Sequence, residues 1–111
     1  MTNQPWFRLY AEFVTDPVIQ ALAFEDQRHY IGVLCLKCSG VLDRRVDPRV
    51  RDRIILRGLG LDPGAGSEAK RRLLDVGLID DEWTPTGWNL RQYKSDLSTN
   101  RVRKHRKLQV L

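Results

Sequence analysis

Residues 47–78 have the sequence DPRVRDRIILRGLGLDPGAGSEAKRRLLDVGL, and this stretch decides the fold. An Asp-Pro pair is typical of a helix start, because the carboxylate accepts an orphan N–H and proline needs no donor in the first turn. The first pair predicts a helix from Pro48 to about Arg57. The second predicts another helix, whose firm part we expect to begin at Ser67 because two glycines precede that residue. Two helices joined by a short glycine-containing turn are typical of a helix-turn-helix.

The residues after these helices predict a β-hairpin. Gly77 followed by Leu78 is typical of a Schellman helix end. Branched and aromatic residues then flank a short acidic run, a pattern that favours two strands and a turn; they are Leu78-Ile79, Trp83 and Trp88-Asn89-Leu90 around Asp80-Asp81-Glu82. The expected fold class is therefore mainly α with a small β-hairpin, a winged helix-turn-helix.

Three elements are predicted upstream. Residues 6–10 alternate in a way that suits a short strand or an extended lead-in. Asp16 and Pro17 begin a short helix that runs to about Ala23, and a longer helix follows over residues 25–39. We expect the longer helix to be the central core element, with an apolar stripe at i, i+3, i+4 and i+7 formed by Ile31, Leu34, Cys35 and Cys38.

The chain has 111 residues, enough for one hydrophobic core. We expect a winged-helix domain over residues 1–95 and a basic C-terminal tail over residues 96–111 that is flexible or becomes helical on binding. No apolar run approaches the roughly 20 residues that a membrane helix needs. The polar, uncharged start predicts no signal peptide, and so a cytoplasmic location.

Positive charge is concentrated in two blocks. The net formal charges are −2 for residues 1–43, +5 for 44–72, −4 for 73–90 and +6 for 91–111, which add to the +5 of the whole chain. Such blocks are typical of a surface that binds nucleic-acid phosphates, because neutralised phosphates release condensed counterions. A solvated arginine-rich surface without a ligand is the alternative interpretation of charge alone.

The second helix of the pair is the predicted recognition helix, since arginine reads guanine in the major groove while serine and lysine hold phosphates. The helix before it, the segment after the hairpin and the tail supply further basic groups. The predicted DNA-binding residues are Arg49, Arg53, Ser67, Lys70, Arg71, Arg72, Arg91, Lys94, Arg101, Arg103, Lys104, Arg106 and Lys107.

No pattern points to catalysis, a metal or a cofactor. Cys35 and Cys38 have CxxC spacing, but a structural zinc site needs four ligands, and His29 and His105 lie in the same helix and in the tail. We expect both cysteines to be buried as small hydrophobic side chains. The glycine-rich run over residues 58–66 lacks the Lys-Ser/Thr of a phosphate loop, and no Ser-His-acid set can be assembled. We therefore expect a protein that is not an enzyme.

Both ends of the predicted domain resemble the N-terminal domain of phage replisome-organiser proteins, a family of replication initiation proteins. Residues that resemble the family's opening are Trp6-Phe7-Arg8-Leu9-Tyr10, Glu12-Phe13, Asp16-Pro17, Asp26-Gln27-Arg28 and Leu34-Cys35-Leu36-Lys37-Cys38. Residues that resemble its closing segment are Trp88, Arg91-Gln92-Tyr93, Ser95-Asp96, Ser98-Thr99 and Arg101-Val102-Arg103. The resemblance implies a winged helix that recognises phage origin DNA, in a family whose longer C-terminal part recruits the host helicase machinery.

The sequence therefore predicts specific binding of double-stranded DNA at a phage origin or operator, with a homodimer left open. The acidic run at 80–82 is not typical of a wing that lies along DNA, which is expected to be basic, so either the wing does not touch DNA or this surface binds a protein. The alternative is a small phage protein that binds a host replication or defence nucleoprotein, for example as an inhibitor of CRISPR interference.

Overall fold

The computed structural model describes residues 5–92, which form a mainly helical structure, as the sequence predicts. The helices are α1 (Pro17–Gln20), α2 (Phe24–Cys38), α3 (Pro48–Leu59), α4 (Pro63–Asp75) and α5 (Trp88–Arg91), with 3₁₀ turns at Ala11–Val14 and Val41–Asp43. The prediction that α2 is the central element is confirmed, because α3, α4 and the second 3₁₀ turn all pack against it. Within residues 5–92, no helix combines the length and the apolar character that crossing a membrane requires.

Three helices begin at the same kind of N-cap. Asp16, Asp47 and Asp62 each precede a proline, and each carboxylate accepts a 2.8 Å hydrogen bond from a backbone N–H two or three residues further on. The prediction that the firm part of α4 begins at Ser67 is wrong, because the helix begins at Pro63. A strong cap and the close packing of this first turn outweigh the low helix propensity of its glycines.

The long helices of the pair end at glycines. Gly77 has a φ of 77°, its N–H donates to the Leu74 carbonyl at 2.9 Å, and the Leu78 N–H donates to the Leu73 carbonyl at 3.1 Å. This arrangement is the Schellman motif that the sequence predicts. Gly60 ends α3 with the same left-handed conformation, at a φ of 74°.

The buried face of α2 differs in part from the predicted stripe. Cys35 is exposed and Ile31 is only half-buried, so burial of both cysteines was wrong for Cys35. Apolar residues occur on several sides of this helix, so periodicity alone does not fix which face its partners cover. The residues that are buried are Asp26, His29, Tyr30, Val33, Leu34 and Cys38.

Leucine side chains of α2 and α3 rest on glycines of the opposite helix. A Cβ atom on Gly32 would lie 2.6 Å from a methyl group of Leu59, and one on Gly58 would lie 3.0 Å from a methyl group of Leu36. Real Cβ atoms rarely approach so closely, so a side chain at either position would require the facing leucine to move. The contact is reciprocal, since each helix supplies one glycine and one leucine.

The contact between α3 and α4 is also formed by a leucine that packs on a glycine. Gly66 of α4 is buried under the side chain of Leu56 of α3, and a Cβ atom there would overlap this leucine. The connection between the two helices is only three residues long, from residue 60 to residue 62. The short connection and the glycine contact together hold α4 close to α3.

The predicted hairpin is reduced to one antiparallel bridge between Ile79 and Pro85, and no strand is found among residues 5–92. The Asp80 carboxylate accepts hydrogen bonds from the backbone N–H groups of Glu82 at 2.8 Å and Thr84 at 3.0 Å, which closes the chain into a tight loop. Proline at position 85 has no N–H, so it cannot donate to an extended ladder. We call residues 79–85 the bridge loop.

The sequence predicts Trp83 and Trp88 on strands. Both side chains are buried in the core, but neither residue is part of a strand. Trp83 has a φ of 68° and is 2% exposed. The left-handed region costs an L-residue about 1–2 kcal/mol, which burial of the large indole offsets. Trp88 begins α5 after Gly87, and its ring centroid lies 5.9 Å from that of Phe7.

The lead-in over residues 6–10 is extended without being a strand. The side-chain amide of Gln92 replaces a strand partner, since its Oε1 accepts from the Arg8 N–H and its Nε2 donates to the Arg8 carbonyl, both at 2.9 Å. The Tyr10 hydroxyl donates to the Arg91 carbonyl at 3.1 Å. These bonds join the first described residues to the last.

We expect Gly66→Ala to lower the free energy of unfolding by about 1–2 kcal/mol, because overpacking against Leu56 outweighs the better helix propensity of alanine. Gly64→Ala is the matched control in the same helix, since a Cβ atom there meets only Asp62 Oδ1 at 3.5 Å. The control should gain up to about 1 kcal/mol. Urea denaturation measures both variants, and stabilisation by both would contradict the tight contact between α3 and α4.

Candidate nucleic-acid interface

Three arginines form a continuous stripe on the outward face of α3. Arg49, Arg53 and Arg57 are exposed and follow one another at i, i+4 and i+8, so they lie roughly 6 Å apart along the helix axis. Ile55 and Leu59, on the opposite face, are buried. Within residues 5–92, none of the three guanidinium groups has an acceptor, an ion pair or an aromatic ring as partner. We call these residues the arginine stripe.

The segment before α3 extends this positive surface. Arg44 and Arg45 are both exposed, and neither contacts an acceptor in the described part of the chain. Arg49 and Arg53 were predicted as DNA-binding residues, whereas Arg57 was not. The i, i+4, i+8 spacing is the signal in the sequence that identifies Arg57 as a member of the same surface.

Arg51, on the same helix, has a structural role instead. Its Nη2 donates to the Leu42 carbonyl at 3.1 Å and to the Glu82 carbonyl at 2.6 Å. The guanidinium group thereby joins α3 to the second 3₁₀ turn and to the bridge loop. The four arginines of α3 are hard to tell apart by sequence, and only the contacts separate Arg51 from the stripe.

Charges on the predicted recognition helix, α4, are largely paired. Ser67 is exposed, and Lys70 is half-buried with its Nζ 5.7 Å from the centre of the Trp83 ring. Arg71 lies 2.7 Å from Glu68 and 3.6 Å from Asp75. The outward face of α4 therefore carries one base flanked by two acids, and presents little free positive charge.

Arg72, which the sequence assigns to base recognition, instead binds a buried carboxylate. Its Nε lies 2.5 Å from Asp26 Oδ2 and its Nη2 lies 3.1 Å from Asp26 Oδ1, while Asp26 is 2% exposed. This fork geometry is the strong, two-bond form of an arginine–carboxylate pair. The pair links α4 to α2, so Arg72 is committed to the fold.

The hydrogen bonds from Arg72 hold the pKa of Asp26 below its ordinary value, although burial of the carboxylate opposes the shift. His29, also buried, contributes in the same direction with its Nδ1 at 3.3 Å from Asp26 Oδ1. In the sequence, Asp26 was noted only among the residues that resemble replisome organisers. Its spacing from His29, Tyr30 and Val33, at i+3, i+4 and i+7, is the signal that it belongs to the buried face.

Arg91 is paired as well. Its Nη1 lies 2.8 Å from Glu12 Oε1, and its guanidinium carbon lies 5.3 Å from the centre of the Tyr10 ring. The hydrogen bond to Glu12 raises the pKa of Arg91. These three residues line a cleft of about 480 Å³ between the lead-in and α5. The other predicted basic residues lie outside the described part of the chain; they are Lys94, Arg101, Arg103, Lys104, Arg106 and Lys107.

The acidic run at 80–82 has two roles. Asp80 uses its carboxylate to close the bridge loop, and is therefore part of the fold. Asp81 and Glu82 are exposed at the loop tip. The bridge loop thus presents negative charge on the side of the molecule where Lys70 stacks on Trp83.

The CxxC pair does not form part of a metal site within residues 5–92, where no group of three His, Cys, Asp or Glu residues is placed to hold an ion. Cys38 is buried and its thiol donates to the Trp6 carbonyl at 3.2 Å. Cys35 lies on the exposed side of α2, whereas Cys38 is buried, so the two thiols are in different environments.

Comparison of the chain with family models, with curated proteins and with solved structures gives no match. The resemblance to phage replisome organisers therefore rests on the residues quoted under Sequence analysis.

We expect Arg72→Met to lower the free energy of unfolding by about 2–3 kcal/mol, because it leaves the Asp26 carboxylate buried without its main partner. The loss is smaller than for a fully buried ion pair, since the Arg72 side chain is 44% exposed. Arg71→Met is the matched control on the preceding residue, and should leave stability nearly unchanged since its ion pairs are exposed. Chemical denaturation measures both. Equal effects would show that the Asp26 pair does not stabilise the fold.

Asp26 also predicts a dependence of stability on pH. Because its pKa is lower in the folded than in the unfolded chain, its stabilisation is complete above the unfolded pKa of about 3.9 and is lost as the pH falls through the lower, folded value. We expect Asp26→Asn to reduce the loss of stability on acidification below about pH 4. Asp81→Asn, which removes an exposed carboxylate that has no cation partner within residues 5–92, should leave that part of the profile nearly unchanged. Parallel profiles for the wild type and Asp26→Asn would contradict the assignment.

Proposed function

We propose that this chain binds double-stranded DNA as a reduced winged helix-turn-helix, with the arginine stripe of α3 against the phosphates. The supporting order of elements is α3, a three-residue connection, α4 and then the bridge loop in the position of a wing. A loop closed by a single bridge would be a minimal wing.

The arginine stripe is the observation that carries this proposal. Arg71 and Arg91, which are also exposed, have carboxylate partners, whereas the three arginines of the stripe, like Arg44 and Arg45, have none within residues 5–92. Like charges spaced one helical turn apart repel one another, and nothing within the described structure compensates that repulsion. A row of phosphates would do so, with release of the counterions condensed on the DNA.

The biological setting that we propose is the recognition of an origin or operator in phage replication, inside the bacterial host cell. It is supported by the resemblance to replisome organisers at both ends of the predicted domain. In this proposal the basic residues of the tail add phosphate contacts, and a homodimer would bind two half-sites.

A protein target is the second candidate, and the distribution of acids favours it. Glu68 and Asp75 on α4 and Asp81 and Glu82 on the bridge loop are all exposed. These acids would disfavour DNA on that side of the molecule and suit a basic nucleic-acid channel of another protein. A small phage protein that occupies such a channel in a host or defence nucleoprotein would inhibit it.

We expect Arg53→Gln to reduce the slope of log affinity against log salt by about 0.9, and the triple change Arg49→Gln, Arg53→Gln and Arg57→Gln to reduce it by about 2.7, because each arginine contacts one phosphate. Arg71→Gln removes the same charge from α4 and should change the slope far less, since Arg71 is already paired. Fluorescence anisotropy with random and phage-genome duplexes over a series of salt concentrations measures these slopes.

Equal slopes for Arg53→Gln and Arg71→Gln would show that the stripe is not the DNA surface. Failure of the wild type to bind either duplex at low salt would reject DNA binding and favour the protein target. Tighter binding of the phage-genome duplex than of the random one would support a role in site recognition.

A further inference from the structure

Two exposed valines lie beside the arginine stripe, and we propose that they contact thymine methyl groups in the major groove. Val46 is 42% exposed and Val50 is 44% exposed. Val46 directly precedes the N-cap of α3, and Val50 lies in its first turn. The inference rests on the proposed DNA binding and deepens it, because it makes α3 the element that faces the bases.

Helix geometry places Val50 beside the stripe, because it precedes Arg53 by three residues and such a spacing brings two side chains together on one helix face. Val46 lies outside the helix, directly before its N-cap Asp47. The N-terminal end of α3 therefore carries two exposed valines next to guanidinium groups of the stripe. A major groove has the complementary arrangement, with thymine methyl groups at its base and phosphates at its rim.

Val46 lacks the apolar partner that is usual at its position. A hydrophobic residue just before an N-cap commonly packs against the fourth helical residue in a hydrophobic staple. Here the fourth residue is Arg51, whose guanidinium group bonds to the carbonyls of Leu42 and Glu82. Val46 therefore has no apolar residue at the staple position. It is 42% exposed and Val50 is 44% exposed, so contact with a methyl group would remove more of both side chains from water.

The alternative element, α4, presents a less suitable surface. Its outward residues include Ser67 and Arg71, but Glu68 and Asp75 flank that arginine and would lie close to phosphates. Arg72, the other guanine-reading candidate, is bound to Asp26. The free cations and the exposed apolar side chains thus coincide on α3 rather than on α4.

Replacement of thymine by uracil tests the proposal, because uracil pairs as thymine does and lacks only the methyl group. The probes are a short duplex of alternating A·T pairs and the same duplex with A·U pairs, with affinities measured by fluorescence anisotropy at one salt concentration. We expect the wild type to bind the A·U duplex about fourfold more weakly for each methyl group that it buries. Val46→Ser with Val50→Ser should bind both duplexes equally, whereas the control Val18→Ser, at a valine that is 37% exposed on α1, should keep the preference.

Each outcome bears on the proposal. Equal affinity of the wild type for both duplexes, with a salt slope that still depends on the stripe, would overturn the base contact and leave DNA binding intact. A preference for thymine that persists in the double valine variant would also overturn it, since the methyl group would then be sensed elsewhere. Absence of binding to either duplex at low salt would reject both proposals. Circular dichroism of each variant establishes that a lost preference does not come from unfolding.

Discussion

The carboxylate of Asp26 lies in the core, and the structure has to neutralise it there. Arg72 does so from α4 with two hydrogen bonds, and His29 adds a contact from the next turn of α2. A buried carboxylate without such partners would cost several kcal/mol, so the pair fixes the position of α4 against α2 as well as satisfying the charge. The position of α4 in turn determines where Lys70 meets Trp83 and where the bridge loop begins.

The Asp26–Arg72 pair also determines which helix has positive charge available for a ligand. The fold uses Arg72 for Asp26, Arg51 for two backbone carbonyls and Arg28 for the carbonyl of Leu59 at the end of α3. Pairing on the surface of α4 then leaves the arginine stripe as the concentration of uncompensated charge in residues 5–92. The total charge of the chain carries no such information, because it counts structural and free arginines alike.

Much of the helical framework could be predicted from local signals, and the remainder depends on distant contacts. The Asp-Pro caps and the Gly77 end act within one helical turn, so they are visible in the sequence. The Asp26–Arg72 pair joins residues that are 46 positions apart, and no local sequence pattern around either residue predicts it. The hairpin was predicted from aromatic residues that suit strands, yet Trp83 is buried from a left-handed backbone and Trp88 from a helix, because burial of an indole does not require a strand. For the candidate site, Arg49 and Arg53 were predicted from their place in the arginine-rich helix α3, whereas the contact of Arg72 with Asp26 was not predicted.

The glycine contacts of α3 have a consequence for the direction of its exposed side chains. Leu59 and Gly58 pack against α2, and Leu56 packs against Gly66 of α4. The helix α3 is therefore held by two neighbouring helices on different parts of its surface. A turn about its own axis by a single residue, about 100°, would lift every leucine from its glycine and swing Arg53 toward the core. The direction in which the arginines point is thus set by the contacts on the buried face of the helix. The glycines in those contacts orient the arginine stripe as well as stabilise the fold.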